Sequence, residues 1–130
     1  MFMLAQAARR AAHSADEALA PLSLDVRRHS ILSSIEGGPP RSQLEIANSL
    51  LIDRTTMARL ARDLEGAGLI KRDRDPRDRR NYSLSLTPAG SETLTETHAR
   101  LNTVHDEFLG ELDPDERKFL LQILGRLSGT

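Results

Sequence analysis

Cysteine and tryptophan are absent from the chain of 130 residues, which has one tyrosine and three phenylalanines. Without thiols there is no disulfide, no thiolate metal site and no thiol redox sensor. So few rings offer no aromatic cage for a ligand. No apolar run approaches the roughly 18 residues of a membrane-spanning helix. The opening, with Arg9 and Arg10 after a few apolar residues, has the wrong order for a secretory signal. A cytoplasmic protein with no membrane partner is therefore expected, and the sequon Asn81-Tyr82-Ser83 is incidental. Glycine-rich phosphate loops, nucleophile elbows and His-Glu-x-x-His patterns are missing too, so neither a catalytic residue nor a cofactor nor a resident metal is expected.

A charge excess of one sign is also lacking, since 18 Lys and Arg stand against 19 Asp and Glu. The charges are segregated instead. Residues 54–80 hold nine basic against five acidic residues, a net of +4, whereas residues 81–130 hold four against eight, a net of −4. A basic surface confined to one stretch is what phosphate contact needs.

That stretch opens with a helix start. Asp53 can accept from the free N–H groups of a first turn, Met57, Leu60, Ala61 and Leu64 recur at helical spacing, and Gly66 and Gly68 close the helix. About 100° per residue from the apolar stripe puts Thr55, Arg59 and Arg62 on the opposite, outward face. A hairpin follows, with Leu69 and Ile70 entering an extended segment, Asp75-Pro76-Arg77-Asp78 as turn chemistry and Tyr82 to Leu86 alternating with period two. Its tip, residues 71–80, holds six basic against three acidic residues, a net of +3. A helix with an outward arginine face followed by an arginine-tipped hairpin is the layout of a winged helix on DNA.

Upstream, residues 1–20 favour a helix that Pro21 ends, and Ser23 is positioned to cap a second helix carrying Leu24, Ile31, Leu32 and Ile35. Ser42-Gln43-Leu44-Glu45 reads as a capping box opening a third helix, which pairs with the helix from Arg54 as a helix-turn-helix. Downstream, Thr87 with Pro88, and Asp113 with Pro114, are cap-then-proline starts of two further helices. The last of these carries a broad apolar stripe, Phe119, Leu120, Ile123, Leu124 and Leu127, that needs a cover. The cover is either an intramolecular core or the terminal helices of a second copy, from which a domain this small would gain.

The run Leu64-Glu65-Gly66-Ala67-Gly68-Leu69-Ile70, then Arg72, then Asp75-Pro76-Arg77-Asp78-Arg79-Arg80, then Leu86-Thr87-Pro88-Ala89-Gly90 resembles the MarR family of bacterial transcriptional regulators. Pro21-Leu22-Ser23-Leu24 and Leu112 to Arg117 extend the similarity over nearly the whole chain. The resemblance implies a mostly α fold with a small β-hairpin wing: a winged helix-turn-helix with N- and C-terminal dimerisation helices. It implies one domain over residues 1–130, with a core at about 24–90 and dimerisation helices at about 1–20 and 91–128. A homodimeric repressor reading a near-palindromic site on double-stranded DNA is expected, open to release by a small lipophilic or aromatic effector. The residues expected at DNA are Arg54, Thr55, Thr56, Arg59 and Arg62 on the helix, and Arg72, Arg77, Asp78, Arg79 and Arg80 at the wing. The family match gives Arg80 the minor groove and makes Asp78 the carboxylate that orients it. Phe2, Leu4, Phe119, Leu120, Ile123, Leu124 and Leu127 are the expected dimer contacts.

Two other readings use the same residues differently. A winged-helix protein adaptor would present the arginines to an acidic partner, and a metal-responsive regulator would use His98 and His105 with Asp106 and Glu107. Those histidines lie seven apart on one helix, too far for one ion to bridge without ligands from other elements.

Overall fold

The computed structural model describes residues 1–129. Helix starts set its frame. The elements are α1 (Phe2–Leu19), a 3-10 turn (Ala20–Leu22), α2 (Val26–Ser34), β1 (Arg41–Ser42), α3 (Gln43–Leu50), α4 (Arg54–Gly66), β2 (Ile70–Arg74), β3 (Tyr82–Leu86), α5 (Pro88–Phe108) and α6 (Pro114–Ser128). Asp53 accepts the Thr56 N–H at 2.8 Å, and Thr87 accepts the Gly90 N–H at 3.0 Å. Asp113 and Glu116 form a full reciprocal capping box at 2.9 and 3.0 Å.

Two expected caps are corrected. Ser23 does not start α2: Pro21 draws the chain into the 3-10 turn, Ser23 closes it in the left-handed region at φ 58°, and the cap passes to Asp25. At α3 only half of the expected box forms. Ser42 Oγ accepts the Glu45 N–H at 3.4 Å, but Ser42 also belongs to β1 and pairs with Ser83, and the exposed Glu45 carboxylate returns no bond among the described residues. β1 itself, two residues long, makes the hairpin a three-stranded antiparallel sheet of order β1-β3-β2.

The core joins Ile31 and Leu32 of α2, Ile46 of α3, Met57, Leu60 and Leu64 of α4, Leu84 of β3 and Leu94 of α5. Each such side chain contributes about 1.5–3 kcal/mol by leaving water. The four α4 positions expected to face inward are all buried, so the orientation of the opposite face is fixed by the core. Between α3 and α4 the chain turns on Leu51, exposed and in the left-handed region at φ 56°. A leucine there costs about 1–2 kcal/mol, which the bond from Ile52 N–H to Ala47 O at 2.9 Å helps to offset.

α6 departs from this pattern. None of its residues is buried within the single chain, and Phe119 and Leu127 are 64% and 68% exposed. The stripe is therefore not an intramolecular core. α1, α5 and α6 enclose an apolar groove of about 710 Å³, with Leu4, Ala8, Leu109, Leu120, Leu121 and Leu124 among its walls. No helix among the described residues is long and apolar enough to cross a membrane.

α2 and α5 meet at a histidine pair. The rings of His29 and His98 lie edge to face at 5.6 Å, and Glu36 reaches His98 Nε2 at 3.0 Å. Burial lowers the pKa of His29 below its ordinary 6.5; His98 and His105 add to this and Glu36 opposes it. The fold thus favours the neutral ring, so as pH falls the unfolded chain takes up the proton first. This stability is present above 6.5 and is lost as pH falls through 6.5 toward the lowered value. The urea midpoint is therefore expected to drop between about pH 7.5 and about pH 5.5. His29→Gln should flatten that drop; a pH dependence equal to that of the unsubstituted protein would refute the assignment.

Candidate nucleic-acid interface

On α4, burial of Met57, Leu60, Ala61 and Leu64 leaves Arg54, Thr55, Arg59 and Arg62 exposed. None of these three arginines has an ion pair or side-chain hydrogen bond among the described residues. Thr56 differs, because its hydroxyl donates to Asp53 Oδ2 at 2.7 Å and so serves the cap. The two oxygens of Asp53 are thus both engaged by Thr56, and those bonds lower its pKa. From α2, Arg28 donates to Asp63 Oδ2 at 2.9 Å and ties the rear of α4 to the core.

Of the three aspartates among the six basic residues of the wing, Asp73 faces Lys71 Nζ at 3.7 Å on β2, and the other two serve the turn. Asp75 accepts the Arg77 N–H at 2.9 Å, and Asp78 accepts the Arg80 N–H at 3.0 Å. Backbone bonds from Asp75 N–H to Asn81 O and from Asn81 N–H to Asp78 O, both 2.9 Å, close the loop. The carboxylates thereby serve the turn backbone, as short acidic side chains do in Asx turns. The arginine tips are turned outward. Arg80 is 94% exposed, with Nε 3.5 Å from Asp78 Oδ1, and Arg77 is 79% exposed, with Nε 3.6 Å from Asp75 Oδ1. Arg79 is exposed as well.

Arg72 sits differently from the other wing arginines. Its side chain is only 9% exposed, paired with Glu65 of α4 at 3.5 Å, and its guanidinium lies 4.0 Å from the centre of the Tyr82 ring. Between α4 and the wing runs a groove of about 360 Å³, on whose walls Arg54, Arg62, Arg72 and Arg80 meet. Arg72 and Arg80 each have a carboxylate nearby, whereas Arg54 and Arg62 have no ion pair among the described residues. The groove thus keeps a positive excess that suits an anion, and a duplex backbone supplies anions at regular spacing. Arg59, three residues from Arg62, is exposed on the same helix.

Sequence reasoning missed Arg74, Tyr82 and Glu65. Arg74 donates to Arg79 O at 3.1 Å and stacks on Tyr82 at 4.5 Å, while Glu65 accepts the Arg72 N–H at 3.2 Å. The period-two pattern carried a signal for the first two, since it places Arg72 and Arg74 on one face of β2; nothing local pointed to Glu65. At the metal-responsive candidates, His98 is engaged with Glu36, and no three His, Cys, Asp or Glu side chains among the described residues are arranged to hold an ion.

A family model described as the MarR family matches residues 24–82, which includes the helix-turn-helix and the wing tip. A transcriptional regulatory protein for the hcr operon of Thauera aromatica is 33% identical over 99 residues, 76% of this chain and 60% of that protein. The match thus spans less than two thirds of that relative. The structure of the transcriptional repressor CouR bound to a 23-mer DNA duplex is 34% identical, with a TM-score of 0.87 over 98% of this chain and 90% of that one. A MarR-family regulator from Rhodococcus sp. RHA1, 24% identical, shares the fold at a TM-score of 0.92, covering 98% of this chain and 90% of its own. The helix-turn-helix with its exposed arginines, the arginine-tipped wing and the family match agree, and the chain belongs to the MarR family of transcriptional regulators.

Proposed function

We propose that this chain is a cytoplasmic, non-enzymatic, dimeric repressor that reads a near-palindromic site on double-stranded DNA. Each α4 enters a major groove through Arg54, Thr55 and Arg59, and each wing follows into the neighbouring minor groove through Arg80, with Arg62, Arg77 and Arg79 toward phosphates. The observation that carries this reading is the meeting of Arg54, Arg62 and Arg80 around one groove beside the exposed Arg59. A solvated, salt-bridged surface would pair such charges, whereas the three α4 arginines are left unpaired among the described residues.

The second copy is assigned to the exposed stripe. Phe2 and Leu4 of α1 and Phe119, Leu124 and Leu127 of α6 are open in the single chain, with Leu120 and Ile123 half-buried between them. Covering such a surface contributes about 25 cal/mol for each Å² of apolar area removed from water. A small lipophilic or aromatic molecule that altered the distance between the two reading helices would release the duplex.

Selection of bound fragments from random duplexes tests the reading. A two-fold sequence with half-site centres about 10 base pairs apart is expected. Arg80→Ala should weaken binding to the selected duplex by about tenfold and lessen its salt dependence, with the melting temperature unchanged. An adaptor would yield no consensus and only weak, sequence-independent retention. Full binding by Arg80→Ala would remove the wing from the interface.

A further inference from the structure

Tyr82 is the chain's only tyrosine, and it stands where two chains of contacts cross. It pairs across the sheet with Arg74, and Arg72 lies two residues before Arg74 on β2, so all three side chains share a face. Both guanidiniums stack on the ring, Arg72 at 4.0 Å and Arg74 at 4.5 Å from its centre. From Arg72 one chain runs to Glu65 and so to α4; from Arg74 the other runs to Arg79 O and so to the wing tip.

We infer that Tyr82 is the positioning residue of the wing, its ring seating Arg72 and Arg74 and thereby holding Arg80 at a set place relative to α4. The inference rests on the DNA-binding reading above. Two like charges at one ring repel each other, and the arrangement stands only because each has a second partner and a π face attracts a cation. Arg72 Nε is buried without a hydrogen bond, so the ring face and Glu65 are what hold this nearly buried guanidinium. The repulsion is met in the folded protein, before DNA arrives, and a duplex then meets a wing already in place. Tyr82 also lines the groove that Arg54, Arg62 and Arg80 share, so a shift of the ring would alter the spacing of the charges around it.

Stacking belongs to the ring and not to the hydroxyl, which separates two variants. Tyr82→Phe is expected to bind the selected duplex as the unsubstituted protein does. Tyr82→Leu should bind about tenfold more weakly and show faster amide exchange over residues 73–81 in the absence of DNA. Because Tyr82 acts through the wing, Tyr82→Leu should have little further effect in an Arg80→Ala background. Should Tyr82→Leu fail to fold, Glu65→Gln, a change at an exposed residue, is expected to weaken binding about threefold with the same faster exchange. Undiminished binding by Tyr82→Leu, a loss in Tyr82→Phe equal to that in Tyr82→Leu, or full additivity with Arg80→Ala would each overturn the inference. So would Glu65→Gln binding as tightly as the unsubstituted protein, if that variant is needed. Unsubstituted protein that retains no duplex at all would overturn the DNA reading itself and this inference with it.

Discussion

Replacing Gly90 with alanine is expected to destabilise the protein by about 3 kcal/mol. Helix propensity argues the other way, since alanine in place of glycine within a helix contributes about 1 kcal/mol of stability. Packing decides the sign. Gly90 is buried in the first turn of α5, and a Cβ there would overlap the Leu69 carbonyl oxygen and lie 2.9 Å from Leu86 Cδ2. The obstruction is backbone, and that backbone is already engaged. Leu69 O accepts the Thr87 N–H at 3.1 Å, and the Thr87 hydroxyl donates to Gly68 O at 2.6 Å. To clear a methyl group, the start of β2 must move away from the start of α5, which displaces the wing from α4. DNA affinity should fall with stability for that reason. Gly66 provides the control, because a Cβ added there meets nothing within 4 Å. Gly66→Ala is expected to be neutral or stabilising by up to about 1 kcal/mol. Equal urea midpoints for the two variants would show that the close approach at Leu69 is not what keeps Gly90.

The parts of the fold legible in the sequence are those decided by neighbours within a few residues. Asp53, Thr87 and Asp113 cap as expected because a cap needs one short polar side chain and the N–H groups just beyond it. Ser23 failed because the competing cap, Asp25, lies only two residues on and Pro21 shifts the start toward it. β1 was hidden because two residues carry no periodicity and their strand character comes from pairing with Leu84 and Ser83 far along the chain. Much the same division holds at the interface. The exposed face of α4 followed from helical geometry, and the arginines of the wing from composition. That Arg72 is nearly buried under Tyr82 depends on the register of β2 with β3 and on Glu65, seven residues earlier on α4, and neither is a local property. For α6, the sequence displays an apolar stripe, and the single chain leaves it uncovered.

Arg59→Ala is expected to have the larger effect on recognition, about 2 to 6 kcal/mol in binding to the selected duplex. The range is twice the usual 1 to 3 kcal/mol for a bidentate arginine–guanine contact, because a two-fold dimer places the residue in both half-sites. Stability should scarcely change, since Arg59 is exposed and gives up no ion pair or side-chain hydrogen bond among the described residues. Arg80 and Arg59 then differ in kind. Loss of Arg80 should weaken the interaction with many sequences, whereas loss of Arg59 should reduce the preference for one base pair over another in each half-site. Arg59→Lys tests this directly, because lysine keeps the charge but lacks the planar fork that meets guanine O6 and N7 together. It should restore most of the salt-dependent affinity for unrelated duplex and little of the discrimination. A ratio of selected to unrelated binding that stays unchanged in both variants would mean that Arg59 touches only the backbone and that the base-reading residues are Arg54 and Thr55, nearer the start of α4.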